Sequence, residues 1–118
     1  MMVYILDMNT STLQMTLLTL AEPNRFNIVE LLKKGPLSVS QVVEALNIGQ
    51  PQVSRHLRIL SEAGLVRSRN KAQQRIYSLE AAPFQDLDEW FDSFSILWEE
   101  RLDNFEEYML DYKKKEDL

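Results

Sequence analysis

The chain has 118 residues, 45% of them hydrophobic and 26% charged, with a formal net charge of −5 at pH 7. That length fits one domain, and so mixed a composition excludes a disordered chain. The absence of cysteine removes disulfides, thiolate metal sites and thiol redox chemistry, and a single histidine leaves nucleophile–histidine catalysis without its parts.

The opening stretch MMVYILDMNT has no basic segment and too short an apolar run for a signal peptide. No apolar run approaches the ~20 residues of a membrane span, so the expectation is a cytoplasmic protein without membrane contact. A domain this size buries only about two-thirds of its unfolded surface, so a partner that shares the core would help it. The net charge hides a segregation of sign: residues 1–79 carry +4 and residues 80–118 carry −9. Between residues 50 and 79, Arg55, Arg58, Arg67, Arg69, Lys71 and Arg75 face Glu62 alone. A polyanion at contact distance sees that local field, because salt screens charges farther than about 8–10 Å away.

In chain order, Leu13, Leu17, Leu18 and Leu20 stand at helical spacing and are followed by a break at Ala21–Asn24. Pro23 suits a first helical turn, so a second helix is expected there, with Ile28, Val29, Leu31 and Leu32 on its apolar face and Gly35-Pro36 as its stop. Arg25 would sit at that helix's positive pole, which asks for a carboxylate partner or a nearby phosphate. Ser38 and Gln41 have capping-box spacing at the start of a helix over Val39 to Leu46. Asn47-Ile48-Gly49 makes a tight turn, and another helix runs from Gln50-Pro51 to about Ala63, with Gly64 as its terminator. Two short helices joined by such a turn outline a helix-turn-helix. Leu65–Arg69 and Gln74–Leu79 then read as strands joined by Asn70–Gln73, the wing of a winged helix.

From Pro83 onward, Phe84, Leu87, Phe91, Phe94, Trp98, Leu102, Phe105, Met109 and Tyr112 follow steps of three and four, with one stutter between Phe94 and Leu102. Trp90 and Leu97 widen this seam. The pattern predicts a C-terminal dimerisation helix over 83–113, roughly 45 Å long if continuous, set against its copy in a second subunit. The alternative is a return of two shorter helices on the same chain. The fold class expected is mainly α with a small β component: one winged helix-turn-helix domain over 1–118, its core and wing at 11–79.

On a helix over residues 51–63, Val53, Leu57 and Leu60 share an inward face, while Gln52, Ser54, Arg55 and Arg58 project from the other sides. Arginine reads guanine bidentately, glutamine reads adenine, and serine adapts to either. The candidate contacts to double-stranded DNA are Gln50, Gln52, Ser54, Arg55, His56 and Arg58, with Arg69, Lys71 and Arg75 of the wing; these three and Arg67 are suited to phosphates or the minor groove. The three glycines punctuate helices and cradle no phosphate, no catalytic constellation is present, and no cofactor is expected.

The stretch Leu20 to Arg69 resembles the ArsR-type winged-helix repressors. It carries their opening as Leu20-Ala21-Glu22-Pro23-Asn24-Arg25, their recognition-helix core as Ser54-Arg55-His56-Leu57, and their lead into the wing as Leu60-Ser61-Glu62-Ala63-Gly64-Leu65-Val66. The resemblance implies a homodimeric DNA-binding regulator, a repressor at an inverted repeat, whose first and last helices form the dimer. It places Gln52, Ser54 and His56 near the major groove. Residues assigned to the dimer are Leu13, Leu17, Phe84, Leu87, Trp90, Phe91, Phe94 and Trp98.

The family's arsenic and cadmium sensors carry two cysteines where this chain reads Leu37-Ser38-Val39-Ser40-Gln41, and its zinc sensors use histidines on the last helix, which has none here. A metal sensor of those kinds is therefore not expected. Two other readings stand beside the repressor: a regulator whose aromatic dimer core takes a small-molecule effector, and a winged-helix module for protein interaction. His56 lies beside the core face of its helix, where packing competes with a base contact.

Overall fold

The computed structural model describes residues 8–116. Its elements are α1 (Met8–Leu20), α2 (Pro23–Leu32), β1 (Leu37–Ser38), α3 (Val39–Leu46), α4 (Gln50–Glu62), β2 (Val66–Lys71), β3 (Gln74–Leu79), α5 (Ala81–Asp92) and α6 (Ser95–Glu116). By its internal contacts the chain divides after Gln85 into two compact units. The first is a winged helix: α1 to α4, then a hairpin that joins β1 in an antiparallel sheet of order β1-β3-β2. None of the described helices is long and apolar enough to cross a membrane.

Local chemistry sets the boundaries. Glu22 caps α2 by accepting the Arg25 amide N–H at 2.8 Å, with Pro23 in the first turn. Ser38 and Gln41 form the expected capping box: the Ser38 hydroxyl accepts from Gln41 N, and the Gln41 side chain accepts from Ser38 N at 2.9 Å. Asn47, left-handed at φ 56°, ends α3, and Gly49 opens α4 two residues later. After α4 the Leu65 amide reaches back to the Leu60 carbonyl at 2.9 Å, closing a Schellman turn with Gly64 at φ +78°. That turn reverses the chain into β2.

The core of this unit is Ile28, Val29, Leu32, Val42, Val53, Leu57, Leu60, Leu65, Val66 and Tyr77. Of the positions their spacing predicts, α2 buries Ile28, Val29 and Leu32 and leaves Leu31 half-buried, α3 buries Val42 alone, and α4 buries Val53, Leu57 and Leu60. β1 is an addition to the expected fold. Only two residues long, it pairs Leu37 with Tyr77 and Ser38 with Ile76, and too short a run carries no period to read. The hairpin turn is also tighter than expected, because β2 extends to Lys71 and leaves Ala72-Gln73 as a two-residue loop. Both loop residues have positive φ, 48° and 68°, which matches the twist of the ribbon and is normally left to Asn or Gly.

In the second unit, with the last turns of α5 and all of α6, the helical stretch over 83–113 is not continuous. Ser93-Phe94 interrupts it. There the Ser93 hydroxyl donates to the Trp90 carbonyl, and Phe94 N and Leu97 N bond three residues back, to Phe91 and Phe94 carbonyls at 3.0 and 2.9 Å. A serine that competes for its own backbone and a switch to i−3 bonding tighten the chain until the α ladder ends. The break adjoins the stutter in the apolar repeat.

Candidate nucleic-acid interface

Helix α4 divides cleanly by face. Val53, His56, Leu57 and Leu60 are buried, whereas Gln50, Gln52, Ser54, Arg55 and Arg58 are exposed. No side chain caps its N-terminus, so the first-turn amides of Gln50 and Gln52 keep their N–H groups for an outside acceptor. Arg58 approaches Glu62 at 4.0 Å across one turn. Both side chains are solvent-exposed, so the pair is weak and leaves Arg58 available.

The helix meets the wing along one exposed groove. Its lining joins Pro51, Ser54, Arg55 and Arg58 of α4 to Val39 of α3 and to Arg75 and Tyr77 of β3. A neighbouring depression joins the start of α3, Ser38 to Ser40, to Gln50 and to Gln73, Gln74 and Arg75 at the wing tip. Arg75 lines both. Three guanidinium groups on one concave surface of a reading helix and its wing are suited to a polyanion whose groove edges need bidentate donors.

The sheet register separates the wing cations. Opposed residues share a face, and Asn70 pairs with Arg75 as Ser68 pairs with buried Tyr77, so Arg75 turns toward the helices. Arg67, Arg69 and Lys71 pair with Ser78, Ile76 and Gln74 and lie on the other face. Arg67 is engaged there, donating from Nε to the Ser78 hydroxyl at 3.4 Å with Glu80 at 3.7 Å. Arg69 and Lys71 are exposed. The nine candidate residues are therefore not one cluster: Ser54, Arg55, Arg58 and Arg75 converge, Gln50 and Gln52 flank them, and Arg69 and Lys71 stand apart. Alternation along β2 and β3 carries that signal once the register is known. Tyr77, Val39 and Pro51, which shape the groove, were absent from the sequence list because each reads as core or as a helix opener.

His56 requires correction. It is only 5% exposed and points inward, its Nδ1 lying 3.5 Å from Arg25 Nη1 and 3.8 Å from Glu22 Oε2. A ring at that depth offers no edge to a base, because its position on the wheel adjoins Val53 and Leu60. The Arg25 guanidinium is held by a main-chain acceptor, its Nε donating to the Thr19 carbonyl at the end of α1, at 2.8 Å.

Of the residues assigned to the dimer, Phe84 instead packs partly against the core of its own winged-helix unit. Leu13 and Leu87 are half-buried, Leu17 and Phe91 are exposed, and the side chain of Trp98 lies outside the described residues. Trp90 meets Phe91 at a tilt and Phe94 edge to face, with ring centroids 5.1 and 5.2 Å apart.

Comparison with known proteins bears on this geometry. Residues 22–68 match the family described as bacterial regulatory protein, arsR family. Over 75 residues the chain is 35% identical to the transcriptional repressor SdpR of Bacillus subtilis, covering 64% of this chain and 83% of that one. It is 40% identical over 76 residues to the HTH-type transcriptional regulator Rv2034 of Mycobacterium tuberculosis, covering 61% and 71%. The solved structure of HlyU from Vibrio cholerae superposes with a TM-score of 0.64 at 27% identity, over 75% of this chain and 96% of the other. The first two are named as transcriptional regulators. The chain belongs to the ArsR family of bacterial DNA-binding winged-helix regulators.

Proposed function

We propose that this protein is a homodimeric repressor that binds an inverted repeat in double-stranded DNA. The observation that carries the reading is the convergence of Arg55, Arg58 and Arg75 on one exposed groove, with the opposite face of α4 packed into the core. In the dimer, two α4 helices would enter successive major grooves about 34 Å apart. Arg55, Gln52 and Ser54 would meet base edges, while Arg58, Arg69, Lys71 and Arg75 would meet backbone. The exposed apolar residues of α1 and α6, Leu17 and Leu102 among them, support a second copy as their cover. Repression as the sign of control is supported by the relative named a transcriptional repressor.

Control by metals of the cysteine or histidine type does not suit this chain. Serines stand at both positions where the family's sensors place cysteine, and Ser38 is already committed to capping α3. The aromatic group of Trp90, Phe91 and Phe94 favours a second reading, in which a small apolar effector binds there and releases DNA. Tryptophan quenching by such a compound, together with loss of the complex, would support it.

The test is fluorescence anisotropy on duplexes tiled across the gene's own upstream region, at ~50 and ~200 mM salt. One duplex bound about 10³-fold more tightly than the rest, with a steep salt slope, is the expected result. Weak and uniform binding to every duplex would overturn the site-specific reading and favour a protein partner.

A further inference from the structure

Two of the sequence signatures meet at one place in the fold. Arg25, from the opening signature, and His56, from the recognition-helix signature, are 31 positions apart in the chain, and the Arg25 Nη1 lies 3.5 Å from the His56 Nδ1. The same guanidinium donates from Nε to the Thr19 carbonyl at 2.8 Å, the last turn of α1. Glu22 closes the group, accepting the Arg25 amide and standing 3.8 Å from His56 Nδ1. One arginine thus touches α1, α2 and α4.

Packing alone does not account for this choice. A cation in the first turn of α2 opposes the helix dipole, and a half-buried guanidinium loses hydration. Apolar side chains of the same volume would fill the space at less cost, but they impose no direction. The guanidinium is a rigid planar fork with five donors and no acceptor. With one arm on Thr19 and another on His56, it fixes the angle between α1 and α4. A guanidinium can only donate, so a hydrogen bond across this contact requires the lone pair on Nδ1 of His56 and the proton on Nε2.

We propose that Arg25 is a positioning residue for DNA reading, acting through His56 to hold the roll of α4 against α1. The proposal rests on the dimeric DNA-reading function above. His56 directly follows Arg55 on α4, so a rotation that frees His56 swings Arg55 off its base. If α1 lies at the two-fold, a shift of α4 along the line joining the two reading helices changes their separation by twice the shift.

The experiment compares wild type, Arg25→Lys, His56→Leu and His56→Asn on the tightest duplex of the tiled set and on a random duplex of equal length. Lysine keeps the charge but loses the fork, leucine keeps the volume but loses the acceptor, and asparagine restores an acceptor near Nδ1. Expected are losses of about tenfold in the site-to-random ratio for Arg25→Lys and His56→Leu, the size of one displaced base contact, with rescue by His56→Asn. The salt slope on random DNA should stay unchanged, since no phosphate contact is removed. Wild-type ratios in both variants would overturn the positioning role while leaving the DNA function standing. No site preference in the wild type itself would overturn both. His56 is the chain's only histidine, so its ring nitrogens give unambiguous NMR signals that do not depend on DNA. An Nε2–H tautomer in wild type that becomes mixed in Arg25→Lys is expected, and an Nδ1–H tautomer in wild type would refute the hydrogen bond.

Discussion

The two units spend similar residues in opposite ways. In the winged helix, leucines and valines at helical spacing disappear into a shared interior, and the charges left outside are mostly positive. In α6 the same kinds of residue stay in solvent, Ile96 at 74% and Leu102 at 61% exposed, among carboxylates. Hydrophobic patterning therefore announces that a face will be covered without saying by what. For α2 and α4 the cover is intramolecular, and for α6 the described residues of one chain supply none sufficient.

The sharpest way to break this contrast is to empty the covered side. Leu57→Ala, at a fully buried position, should destabilise the winged helix by about 2–5 kcal/mol in urea unfolding. The matching change in the second unit, Phe105→Glu, should leave that unfolding transition in place. In sedimentation it should move the protein from dimer toward monomer at micromolar concentration, and an unchanged dimer would remove α6 from the proposed interface.

On the charged side, Arg55→Ala should cost about 1–3 kcal/mol on the specific site and little on random DNA. Equal losses on both would place Arg55 on the backbone instead. Lys71→Ala, on the far face of the wing, should weaken binding to all sequences alike and lower the salt slope by about one unit. The smallest effect belongs to the wing tip. Gln73→Gly relieves a left-handed side chain at φ 68° and should raise stability by about 1 kcal/mol, read as a higher midpoint in thermal unfolding.

Where sequence reasoning succeeded, the information was local. The Ser38–Gln41 box, the Gly64 terminator, the Pro23 start and the inward stripe of α4 all follow from residues within one or two turns of each other. It fell short where the deciding partner was remote in the chain. β1 exists because Leu37 and Ser38 find β3 about forty residues later. His56 turned inward because Arg25 and Glu22 wait there, and a wheel shows only that it borders the core. The wing cations looked like one set until the register placed Arg75 and Arg69 on opposite faces. The break at Ser93 left a trace as a stutter in the apolar repeat, which the surrounding helix formers masked.

The sheet order also leaves β2 at one edge, with no strand of the described residues on its far side. An open edge is a template for another chain's strand, and proteins commonly blunt it with charge. Arg67, Arg69 and Lys71 occupy alternate positions along that edge and would set cation against cation if two wings met. If the proposed backbone contacts hold, solubility and recognition draw on two of the same side chains, Arg69 and Lys71. A variant neutralised there to abolish phosphate contact would also lose its guard against edge-to-edge aggregation.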